Sequence, residues 1–129
     1  MQSVNSTYTR EEQDLLKVLA FRSVEYGLRH GVPIPANVQD FSKPLQQVRA
    51  SFVTLERNGL LRGCIGTLDA KRPLVADVAR NAFNAAFHDT RFQPLDYREL
   101  DELDFHISVL SPKEPLTVSS EQDLLTQLR

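Results

Sequence analysis

Asn58-Gly59 constrains this chain more than any other pair of residues, because the segments on both sides of it, 51–57 and 60–65, are rich in strand-forming residues. Asparagine and glycine both accept positive φ, which a two-residue hairpin turn demands at its two central positions. A turn that short admits one outcome, an antiparallel ribbon. Simple pairing outward from it sets Arg57 against Leu60, Leu55 against Arg62, Val53 against Cys64 and Phe52 against Ile65, with Gly63 opposite Thr54. In that register Arg62 and Cys64 share one face with Val53, Leu55 and Leu60. Phe52, Leu61 and Ile65 lie on the other, better-buried face.

Helical signals surround the ribbon. Thr9 and Glu12 have capping-box spacing, and Leu15, Leu16, Leu19, Ala20, Val24 and Leu28 recur on one side, which predicts a helix over about 10–29. Gly31 suits its left-handed end, and Pro33 and Pro35 stop it. The following stretch, to about Val48, has weak periodicity. It reads either as a lid or functional loop, or as a loop packed over the core by Val38, Phe41 and Leu45. Pro73 opens a second helix to about His88, whose Val75, Val78, Ala79, Ala82, Ala85 and Ala86 are small enough to sit close against a sheet. Asp77, Asn81, Asn84 and His88 form one polar stripe on it, which reads as a solvated face. Phe105, Ile107 and Val109 alternate with His106 and Ser108 as a strand ended by Pro112 and Pro115. Ser119 or Ser120 caps a last helix with Leu124, Leu125 and Leu128 inward. Helices interleaved with hairpin-type strands predict an α+β fold, one domain with a mostly antiparallel sheet and flanking helices.

Composition narrows the function classes. The 129 residues, 41% hydrophobic and 25% charged, fit one small globular domain. A net charge of −2 with scattered basic residues gives no general attraction to nucleic acid. The single cysteine, the absence of a basic start and apolar run in the first residues, and the lack of any roughly 20-residue apolar stretch predict a soluble cytoplasmic protein outside the membrane.

The candidate chemistry sits in residues 61–66. Cys64 is the only cysteine, Arg62 stands two positions away, and Gly63 and Gly66 flank it. A thiol beside a cation on backbone that permits close approach fits a nucleophile or a ligand contact. His88 and His106 are the candidate proton carriers. The other reading makes Cys64 a small buried hydrophobe and the glycines a bulge or a tight helix–sheet contact. The glycine spacing matches neither a P-loop nor a dinucleotide fingerprint. His30, His88 and His106 show no paired spacing, so no metal site is expected, and the residues leave any cofactor unspecified. Asp89 with Arg91 reads as a surface or capping pair.

Several segments together resemble the AMMECR family, named for the AMME syndrome candidate region and known in microbes as AmmeMemoRadiSam system protein A. They are residues 51–55 and 61–68 around the turn, Asn81-Ala82, Ala85-Ala86-Phe87, Asp89, Arg91-Phe92, Pro94-Leu95 and 107–112. The stretch Leu61-Arg62-Gly63-Cys64-Ile65-Gly66 is similar to that family's signature. The resemblance implies an α+β intracellular domain and microbial genes beside a Memo-like protein and a radical SAM protein, without supplying a reaction. Thr90 and His106 depart from the family pattern. Cys64, Arg62 and His88 are the candidate catalytic residues, and Arg62, Gly63, Cys64, Gly66 and Asn81 the candidate contacts to a small molecule or partner. Family members extend further than Arg129, so residues 1–129 are expected to lack the C-terminal part of the family domain, and exposed sheet edges are expected to favour homo-oligomers.

Overall fold

The computed structural model describes residues 2–3 and 8–110 of the chain. The predicted last helix and the prolines after the final strand lie outside the described residues. Strand β1 (Gln2–Ser3) precedes helix α1 (Arg10–His30); a 3-10 turn (Val38–Asp40) and the short helix α2 (Lys43–Gln46) follow. Strands β2 (Ser51–Arg57) and β3 (Leu60–Gly66), helix α3 (Leu74–Phe87), a second 3-10 turn (Tyr97–Glu102) and strand β4 (Leu103–Val109) complete the order. The sheet runs β1-β4-β2-β3, with every neighbouring pair antiparallel. The architecture is α+β, as the residue pattern predicts.

Local rules explain the elements. Thr9 caps α1 reciprocally: its hydroxyl accepts from the Glu12 N–H at 3.0 Å, and the Glu12 carboxylate accepts from the Thr9 N–H at 3.0 Å. Gly31 ends the helix at φ 74°, one residue after the expected boundary. The stretch to about Val48 follows the packed-loop reading, with short helical pieces that weak periodicity conceals. Leu45 is fully buried, and Val38 and Phe41 pack on the core.

Helices α1 and α3 share one hydrophobic core with one face of the sheet. Leu16, Ala20 and Val24 of α1 and Val75, Val78 and Ala82 of α3 meet Val53, Leu55, Phe105 and Ile107 there. Burying a large aliphatic side chain contributes about 1.5–3 kcal/mol, so this layer supplies most of the drive to fold. Ser23 ties the two helices by donating to the Ala79 carbonyl at 2.7 Å.

The hairpin departs from simple pairing at one point. Asn58 (φ 54°) and Gly59 (φ 80°) form the expected turn, and Arg57 faces Leu60. Beyond Glu56, which faces Leu61, the register slips by one: Leu55 faces Gly63, Thr54 faces Cys64, Val53 faces Ile65 and Phe52 faces Gly66. Arg62 is the extra residue of a β-bulge. The slip exchanges the two faces of β3. Gly63 and Ile65 turn toward the helices, while Cys64 turns to the open face, beside Thr54 and away from Val53. Leu61 is 38% exposed, not part of the buried face. The bulge sits where Arg62 reaches for Glu99 and where Gly63 meets α3.

Candidate functional site

Gly63 is where the 61–66 stretch touches the core. A Cβ built there would lie 2.1 Å from the carbonyl oxygen of Ala85, so only glycine lets β3 lie this close to α3. At Gly66 a Cβ would fall 2.0 Å from the ring of Phe52. Packing accounts for both glycines, and neither needs a ligand to explain it.

Strand β3 is an edge strand, and its free side is met by the loop after α3. The amide N–H of Cys64 donates to Oδ2 of Asp89 at 3.0 Å, out of the sheet and away from β2. That direction places Thr54 and Cys64 in a non-hydrogen-bonded pair, where side chains come close. Sγ of Cys64 lies 3.2 Å from Oγ1 of Thr54, and the residue is half-buried. Asp89 is not a surface partner, as its spacing with Arg91 suggested. Its side chain is 5% exposed, and Arg91 donates to it three times, from the backbone N–H at 3.1 Å, Nε at 3.0 Å and Nη2 at 2.7 Å. The Arg91 guanidinium first, and then the Cys64 and Arg91 amides, hold the Asp89 carboxyl down at about 2 against the cost of burial. Arg91 is in turn held more firmly protonated, chiefly by Asp89 and to a lesser degree by the nearness of Cys64. Oδ2 of Asp89 thus joins the Cys64 amide to the Arg91 guanidinium.

Arg62 is engaged elsewhere. Its side chain is 11% exposed and forms a two-pronged pair with Glu99, Nε to Oε2 at 2.8 Å and Nη2 to Oε1 at 3.1 Å. Nη2 also donates to the Gln93 carbonyl at 2.8 Å, and Nη1 is buried without a partner among the described residues. Glu99 also takes Nη1 of Arg57 at 3.0 Å and caps its own turn through the Asp96 N–H at 2.9 Å. These contacts, Arg62 foremost, depress the Glu99 carboxyl to about 2. Phe92 lies under both guanidinium groups, 5.7 Å from Arg62 and 5.5 Å from Arg91. The expected shared environment of Arg62 and Cys64 is thus corrected: the bulge sends the guanidinium to Glu99 and Gln93 and the thiol to Thr54.

The polar stripe of α3 is corrected too. Asp77 is 0% exposed and Asn81 is 3% exposed, so half of the stripe faces inward. Asp77 accepts from Ser51 Oγ at 2.6 Å, Arg72 Nη1 at 2.6 Å and Thr67 Oγ1 at 3.1 Å. Asn81 donates to the Ser51 carbonyl at 3.0 Å and reaches Ser51 Oγ, Thr67 Oγ1 and Asp77 Oδ2 within 3.2 Å. The network fastens α3 to the start of β2 and the exit of β3. Asn81 spends its amide donors inside it.

The histidines do not join the thiol. His88 is exposed at the C-cap of α3, its ring 5.3 Å from that of Phe83. His106 is on the open face, 58% exposed, with Nε2 3.3 Å from Glu56 Oε1. Thr54 stands between it and Cys64, paired with one on each side. Spacing in the sequence gives no sign of Glu99, Gln93 or Thr54. The short Asp89-x-Arg91 spacing is the one local signal for the loop, since an Asx-type turn favours it.

These contacts link the segments that carry the resemblance: β3, the 89–93 loop, α3 and β2. A profile described as AMMECR1 matches residues 17–128. The chain belongs to the AMMECR1 family. Among AMMECR1-like sequences, a Methanothermobacter thermautotrophicus protein is 38% identical over 123 residues, spanning 94% of this chain and 62% of that protein. A Thermotoga maritima protein is 39% identical over 106 residues, 81% of this chain and 61% of the relative. The crystal structure of an uncharacterized Pyrococcus horikoshii protein superposes with a TM-score of 0.75 at 35% identity, covering 81% of this chain and 53% of that one. The chain thus spans roughly half to three-fifths of these AMMECR1 relatives. None of its described helices is long and apolar enough to cross a membrane.

Proposed function

We propose that this AMMECR1-family chain is a binding module whose site is the free edge of β3, where Arg62, Gly63, Cys64 and Gly66 run beside the 89–93 loop. In this reading it acts in the cytoplasm with Memo-like and radical SAM proteins. The observation that carries the reading is the pairing of Asp89 with the Cys64 amide. It gathers a half-buried thiol, two arginines and an aromatic ring along one strand edge that loops, not strands, close off. Open sheet edges recognise extended segments by strand addition, and here the side chains of the 89–93 loop stand where such a segment would run. A nucleophilic role for Cys64 has less support. The hydrogen-bonding neighbour of the sulfur is a threonine hydroxyl, and His88 is occupied with Phe83 at the helix end. Arg62 is neutralised by Glu99, which argues against a free anion clamp at that residue.

Calorimetric titration of the purified chain with the Memo-like and radical SAM proteins of its own genome tests the reading. Binding to one of them, weakened at least tenfold by Arg91→Ala with the circular dichroism spectrum unchanged, is expected. Binding that Arg91→Ala and Phe92→Ala leave intact would move the interface elsewhere.

A further inference from the structure

Asp89 occupies a set of donors drawn from two separate segments. Oδ2 accepts from the Cys64 N–H at 3.0 Å and Arg91 Nη2 at 2.7 Å, and Oδ1 accepts from the Arg91 N–H at 3.1 Å and Nε at 3.0 Å. Two donors on each oxygen is the full capacity of a planar carboxylate, and the Nε/Nη2 fork is the arrangement that recognises one side-on. Asp89 and Arg91 are two residues apart, whereas Cys64 comes from the signature strand. The carboxylate is therefore the joint between loop and strand. The turn at Arg91 uses this carboxylate, but the loop is also held without it. Its ends are pinned by the His88 N–H on the Asn84 carbonyl at 2.7 Å and the Leu95 N–H on the Ala86 carbonyl at 2.9 Å. The Arg91 side chain is 43% exposed, so the guanidinium lies at the surface, while the Asp89 carboxylate it holds is 5% exposed.

We propose that these donors are a carboxylate site which the chain fills with its own Asp89, and that the carboxylate of a ligand takes this place when the site binds. The inference rests on the reading of the β3 edge as a binding site and names the chemistry recognised there: a carboxylate, from a free organic acid or from a peptide terminus. Asp89 then acts as an internal competitor, which keeps the edge closed until a ligand arrives.

Two-dimensional NMR of the Cys64 amide and the Arg91 Nε resonance tests it. In Asp89→Ala, acetate is expected to shift both resonances saturably and at least tenfold more tightly than in the wild type, with no matching response to chloride. Asp89→Ser serves the same purpose if the alanine variant does not fold. In the wild type, trialanine that moves both resonances while its amide does not assigns the source to a peptide terminus. Movement by acetate with no difference between the two peptides assigns it to a free acid. A variant that ignores acetate or answers chloride equally, or a wild type that answers neither carboxylate, overturns the proposal. Partner binding that survives such a result leaves the edge reading standing, and an acetate response without partner binding removes the partner reading alone.

Discussion

Replacing Glu99 by glutamine keeps the volume of the side chain and removes the charge that serves Arg62, Arg57 and the Asp96 amide at once. Both members of the main pair are largely out of water, Arg62 at 11% and Glu99 at 14% side-chain exposure, so screening by solvent is slight. Holding this carboxyl at about 2 instead of its ordinary 4.5 corresponds to about 3 kcal/mol, at roughly 1.4 kcal/mol for each pH unit. Breaking a buried pair by removing one partner independently suggests about 3–5 kcal/mol. Because glutamine still accepts one hydrogen bond, Glu99→Gln is expected to cost about 2–3 kcal/mol at neutral pH. The sign of the pH dependence follows from a depressed carboxyl. The stabilisation is complete above about 4.5 and is lost as pH falls toward about 2. Urea unfolding followed by circular dichroism at a series of pH values measures both quantities. The wild type should lose stability through that window, with Asp89 adding to the slope, and the variant should start lower and fall less steeply. A variant within about 0.5 kcal/mol of wild type, with the same acid slope, would refute the ion-pair reasoning, since changes that small are ordinary for surface sites.

Other substitutions probe the remaining links. Gly63→Ala should cost about 3 kcal/mol or more in the same assay, because the new methyl meets the Ala85 carbonyl and α3 must shift. Gly66→Ala should also destabilise, since the new methyl meets Cγ of the buried Phe52 as well as its ring edge, and the whole side chain must move. Asp77→Ala should cost about 3 kcal/mol or more by stranding Ser51 and Asn81 in the interior and taking a partner from half-buried Thr67 and Arg72, visible as a large drop in melting temperature. Cys64→Ser should change stability by less than about 1 kcal/mol, because the hydroxyl keeps the contact with Thr54 at a half-buried position.

The pattern of agreement has a physical cause. Asn58-Gly59, the Thr9/Glu12 box and Gly31 act over a few residues, so the hairpin turn and both ends of α1 are legible in the order of amino acids. The bulge at Arg62 is not, because it answers to partners 23 and 37 positions away: Ala85, which excludes any side chain at residue 63, and Glu99, which draws the guanidinium. A slip of one residue then reverses every face assignment beyond it, which is why the thiol and the guanidinium part company. Periodicity likewise reports that Asp77 and Asn81 lie on one side of a helix without saying which side is wet. Only the meeting of β2, the exit of β3 and α3 decides that. Residues 61–66 mark the candidate site by composition, while Asp89, Gln93 and Phe92, which border the proposed edge, lie on a loop whose path depends on tertiary contacts.

Hydrogen–deuterium exchange, recorded with and without the Memo-like and radical SAM proteins, addresses the proposed binding edge most directly. Joint slowing of exchange in residues 61–66 and 89–93 on addition of one partner is the expected result. Slowing confined to other parts of the chain, with those two segments unchanged, would contradict the assignment of the site.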